Sequence, residues 1–192
     1  LREMSDPTAA MPIIVRELGV EARHSSNYLI RLLSIVLFAG AFALLLEDQP
    51  VVSESMSIRL FAGIHTLALA GIWMVGPILT ADSLSRERRE GTLGFLFSTK
   101  LTPQAIVLGK SFVHLVRALT LWCVALPFLT IPFVLGGLTW LDVLSAFSLQ
   151  GCTLLLALSC GLVASSLAKR PALALLLAYL IAFGASILFL HI

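Results

Sequence analysis

The residues best placed to do chemistry lie between Asp82 and Pro103, in DSLSRERREGTLGFLFSTKLTP, where a dense run of charge adjoins a run of large apolar side chains. Ser85 to Glu90 is charged and helix-favouring, Gly91 permits a break in direction, and Thr92 can cap a second short helix by accepting from the amides that follow. Leu93, Phe95, Leu96 and Phe97 cannot all face one membrane-bound side, so the segment reads as a contact surface for a partner or the lipid interface, with Glu87 and Glu90 as acidic points in a basic stretch. A solvated basic loop held near anionic lipid is the alternative. Downstream, Lys110, His114 and Arg117 are spaced by four and three and share one helical face. An arginine at the bilayer centre costs about 2.5 to 3.5 kcal/mol. The expectation is therefore that all three reach the cytoplasmic interface or line an inward-facing vestibule, with a deep substrate contact as the alternative.

Other chemistry is disfavoured. Gly109-Lys110-Ser111 imitates the end of a phosphate-binding loop, but the first glycine of that motif falls on Gln104 and no strand precedes it. His24, His65 and His191 lie far apart along the chain, so no metal site is expected. Cys123, Cys152 and Cys160 sit in apolar runs and read as small packing residues. The apolar segments hold no paired carboxylates, and Gly-x-Ser-x-Gly is absent from the sequence. No catalytic residues are assigned, and an enzyme is not expected.

The elements that must position these residues follow from composition. Of 192 residues 58% are hydrophobic and 12% charged, with a net charge of +2, and mean hydropathy is +0.98. Soluble domains carry about 25% charged residues, so the fold class is an all-α membrane protein, a polytopic helical bundle. Five segments approach the ~20 apolar residues a crossing needs: 29–46, 58–81, 113–138, 143–168 and 171–192. Strands would leave backbone groups unpaired in lipid, and these runs do not alternate with a period of two. Sorting loops by alternate sides puts Arg2, Arg16, Arg23, Arg31, Arg86, Arg88, Arg89, Lys100, Lys110, Lys169 and Arg170 together, with Arg59 alone opposite and Arg117 within a span. The positive-inside rule then makes the N-terminus cytoplasmic. Within an N-terminal segment 1–27, Pro12 to His24 places Ile14, Leu18 and Ala22 at helical spacing, with Arg16, Glu17, Glu21 and Arg23 largely on other faces. This is an amphipathic helix for the cytoplasmic interface, or else a cytosolic helical tip. Residues 28–192 form the membrane domain.

The layout resembles the type-2 permeases of ATP-binding-cassette (ABC) transporters. The resemblance rests on Glu87, Glu90, Gly91, Thr92, Leu93, Leu96, Ser98, Thr99, Leu108, Gly109 and Lys110, in the order acidic residues, Glu-Gly-Thr-Leu, a short apolar helix, Ser-Thr and Leu-Gly-Lys. It departs at Gly94, where an acidic residue is common in the family, and at Lys100, where proline is usual. The resemblance implies that 12–24 is an elbow helix and that 82–103 holds a cytoplasmic coupling helix between spans two and three, seated in a groove of a separate ATPase. It also implies six spans, so the chain is expected to be truncated before a sixth.

What the resemblance implies is a permease subunit of an ABC exporter, forming the translocation pathway in a homodimer or heterodimer and coupled to an ABC ATPase. No cofactor is expected on this chain, with ATP and Mg on the partner; lipid is a partner and nucleic acid is not. The expected location is the cell membrane, a bacterial inner membrane, multi-pass. A membrane anchor or scaffold that recruits a cytosolic protein without transport is the other class of function the sequence allows.

Overall fold

The computed structural model describes Gly19 and residues 25–47, 54–81, 103–168 and 170–190. Among them are six helices and no strand: α1 (Ser25–Glu47), α2 (Glu54–Ala81), α3 (Pro103–Trp122), α4 (Leu126–Leu135), α5 (Trp140–Leu167) and α6 (Pro171–Leu190). The protein is an all-α polytopic membrane protein. Three helices are long and apolar enough to cross a bilayer alone, within α1, α2 and α5, and a fourth crossing is available if α3 and α4 make one bent span. α6 is apolar through Pro171–Ala185 and runs for 20 residues, about 30 Å at the helical rise.

The elements end where their chemistry requires. α3 begins at Pro103, ahead of the apolar run expected to start at Val113, because proline suits the first turn of a helix, where its missing N–H costs nothing. α3 and α4 differ in direction by 42°. The cause is Pro127, which cannot donate to the carbonyl of Cys123 and crowds it; the Leu126 N–H takes that carbonyl in a tighter turn at 3.3 Å. Gly136 and Gly137, both at positive φ, turn the chain out of α4, a conformation that side chains rarely tolerate. Thr139 then caps α5: its N–H and hydroxyl both donate to Asp142 Oδ2, at 2.9 and 2.7 Å, and the Asp142 N–H returns to Thr139 Oγ1 at 3.3 Å.

The chain divides into two compact units. The first takes the described residues within Val75–Arg117 and Leu155–Ile192. Its helices meet through the smallest side chains: Ala81, Ala164, Ala168, Ala174 and Ala178 form one buried cluster. A Cβ on Gly76 would stand 2.7 Å from the Cβ of Ala157, and one on Gly161 would overlap Thr80 Oγ1 and reach 3.0 Å from the Pro77 carbonyl. Ala157, Gly161 and Ser165, recurring every four residues in α5, are all buried. They are thus a packing face, the device by which helices approach closely where lipid removes the hydrophobic drive between them.

The second unit takes the described residues within His24–Met74 and Ala118–Leu154. Its core is aromatic, with Phe38 of α1 stacked on Phe128 of α4 at 5.7 Å and Phe42 tilted against the same ring at 6.2 Å. Phe61, Ile64, Ala68, Ala125, Leu129 and Ala146 complete it. Ala41 and Leu45 of α1 also pack against it, whereas Leu29, Leu32, Leu33, Val36, Leu37 and Leu44 are all exposed, as suits a helix bathed in lipid.

Candidate functional site

In the first unit, α3 presents the basic face read from the sequence. Lys110 is buried at 7% exposure, His114 and Arg117 are half-buried, and all three engage neighbouring groups. They sit within the protein rather than on its rim. Gly109-Lys110-Ser111 is helical, inside α3, which is not the geometry of a phosphate-binding loop. The segment 82–102, with Glu87, Glu90, Gly91, Thr92, Leu93, Phe95, Leu96 and Phe97, lies outside the described residues, as do Ile14, Arg16, Glu17, Leu18 and Glu21.

The second unit holds a polar chain that the sequence reading missed. Gln150 of α5 is fully buried. Its Oε1 accepts from the indole Nε1–H of Trp122 in α3, and its Nε2 lies 2.8 Å from His65 Nδ1 in α2. Three helices are joined through one amide. The direction of the chain follows from its first member, because an indole N–H can only donate. Gln150 must turn its oxygen to Trp122 and its NH2 to His65, so His65 Nδ1 must accept and the ring proton resides on Nε2. A ring protonated on Nδ1 would set donor against donor. Neighbours hold both ends, with Phe147 edge-on to Trp122 at 5.6 Å and Phe61 parallel to His65 at 6.2 Å.

His65 also lines an open cavity of about 430 Å³ within the same unit, in the size range of small-molecule sites. Ile58, Phe61 and Ala62 from α2 and Ala146 and Leu149 from α5 make apolar walls, Gly137 and Leu138 approach from the turn, and Asp142 and Ser145 add polar points from the first turns of α5. The sequence signal for this site was a polar side chain inside each of three apolar runs: His65, Trp122 and Gln150. Among the described residues no group of three or more His, Cys, Asp or Glu could hold a metal ion. The three cysteines are free. Cys160 packs inside as a small residue, whereas Cys123 and Cys152 are exposed and do not.

Most serine and threonine hydroxyls of α5 satisfy themselves. Thr153 donates to the Leu149 carbonyl, Ser159 to that of Leu155 and Ser166 to that of Val163, each at 2.7 Å. Bound to their own helix, these groups offer a passing solute little.

Comparison with known proteins agrees with this architecture. Neither a curated protein nor a solved structure matches the chain. A family model does, that of the ABC-2 type transporter membrane domain, over residues 11–190. The match takes in every described helix as well as the segments 12–24 and 82–103. The chain is a transmembrane permease component and belongs to the ABC-2 type transporter family.

Proposed function

We propose that the chain, paired with a second permease subunit, forms the translocation pathway of an ATP-driven exporter and couples to a separate ABC ATPase through the loop 82–103. The observation that carries this reading is the extent of the family match, which runs unbroken across the amphipathic segment, the loop and the spans. The motif residues Glu90, Gly91, Thr92 and Leu93 support it, placing a charged helix signal against an apolar one at a glycine. ATP and Mg belong on the partner. ATP binding there draws two ATPases together, the loops follow, and the movement biases an equilibrium between inward-open and outward-open arrangements. Lys110 and Arg117, on the face of α3 that follows this loop, contribute positive charge to the cytoplasmic vestibule, and His114 lies between them on that face.

Purification in mild detergent, with identification of the co-purifying protein and measurement of ATP hydrolysis, tests the reading. Glu90→Ala removes one rim charge, of the kind worth about 0.2–1 kcal/mol; expression and insertion should hold while ATPase association falls by up to a few-fold. Gly91→Val should act more strongly, since it places a β-branched side chain at the glycine by which the sequence permits a break in direction. Full association and activity in both variants would remove the coupling role, and a cytosolic partner without ATPase activity would favour a scaffold.

A further inference from the structure

We infer that the cavity beside His65 is a binding site for an uncharged, hydroxyl-bearing amphiphile, and that Gln150 is the residue that sets its polarity. This rests on the geometry of the second unit and does not require the ATPase.

The polar ends of the cavity make opposite demands. At one end, Nδ1 of His65 already accepts from Gln150 at 2.8 Å, so the nitrogen left for a ligand is Nε2, and it carries the proton. That end needs an acceptor. At the other end stands Asp142, whose Oδ2 takes both bonds from Thr139, while Ser145 gives its hydroxyl proton to the Asp142 carbonyl at 2.8 Å. An ionised carboxylate only accepts, so this end needs a donor and repels an anion. An ammonium group cannot accept from His65, and a ligand carboxylate is opposed at Asp142. Hydroxyls donate and accept, and so meet both ends. Between them the walls of Ile58, Phe61, Ala62 and Leu149 are apolar, which suits an alkyl body. A glycerol-type or sugar-type head on an acyl chain has this chemistry, whether it comes from the membrane or from a transported solute.

The test uses the protein with its co-purifying partner in nanodiscs and a photoreactive monoacylglycerol, with the matching fatty acid as the anionic comparison. Labelling should fall on the residues around Ala62 and Ser145 and should exceed that by the fatty acid. Two variants separate the parts of the argument. Ala62→Phe fills the cavity at an exposed wall position, leaving the Gln150 chain in place, and should abolish labelling. His65→Asn keeps an acceptor for Gln150, because the amide oxygen can stand where Nδ1 was, and removes the donor at Nε2, leaving an amide NH2 that stops near the position of ring Cδ2. It should weaken the monoacylglycerol by about five- to tenfold, the worth of one neutral hydrogen bond, and leave an oxygen-free alkyl probe unchanged. Equal labelling by the fatty acid, labelling indifferent to Ala62→Phe, or an His65→Asn variant that binds both probes as wild type would each overturn the site. A probe that also stimulates ATP hydrolysis is a transported ligand, and one that binds without stimulation is a resident lipid; both outcomes carry the site. Failure of ATPase association with labelling intact would count against the exporter reading alone.

Discussion

Gln150 joins three helices because a primary amide is one of the few side chains that can accept at one end and donate at the other. In lipid such interhelical bonds average about 0.6 kcal/mol and reach about 1.7. Gln150→Leu keeps the volume but strands the indole N–H of Trp122 and the Nδ1 of His65, so a loss of about 1–3 kcal/mol is expected, read as a lower midpoint in detergent-induced unfolding. An unchanged midpoint would mean that water or a rearranged neighbour serves both groups. This residue was the least legible in the sequence. A single glutamine in an apolar run has no period, and its partner His65 is 85 positions away, so nothing local announces that they meet.

At the scale of the helix, α5 is built for close approach. Ala157, Gly161 and Ser165 repeat every four residues; Ala157 meets Gly76 of α2, and a Cβ on Gly161 would overlap the Thr80 hydroxyl of the same helix. Gly161→Ala should therefore destabilise by about 1–3 kcal/mol, as overpacking does. Adding Thr80→Ala should recover part of that, because it removes the nearest of the opposing atoms. Denaturation of the single and double variants measures the difference; strictly additive effects would deny the contact. The helices α1, α2 and α5 were legible as apolar runs, and so was the later part of α3. Its early start was not legible, because Lys110 and Arg117 mask a helix that hydropathy places later. Segments 12–24 and 82–103 were read from pattern and resemblance alone.

Across the whole molecule, eleven of the thirteen basic residues fall on one side of the expected topology. In a background lacking the native cysteines, Ser53→Cys should react with an impermeant thiol reagent in intact cells and Ser98→Cys only after lysis; the reverse pattern would invert the molecule. An orientation can be argued from the sequence because Lys and Arg resist translocation one by one, without any fold, whereas the cavity needed three-dimensional placement of groups far apart in sequence. The chain from Trp122 through Gln150 to His65 also fixes a schedule. Translation at about 5–20 residues per second separates His65 from Gln150 by roughly 4–17 s, given their spacing of 85 residues. During that interval α2 has left the ribosome with a polar ring whose partner has not yet been made. In α1 the Ser34 hydroxyl donates to the Ile30 carbonyl of its own helix at 2.8 Å, a bond that forms as soon as the helix does. The bond that ties α2 to α5 therefore forms only after α5 has been made, late in synthesis and between helices that have already left the ribosome separately.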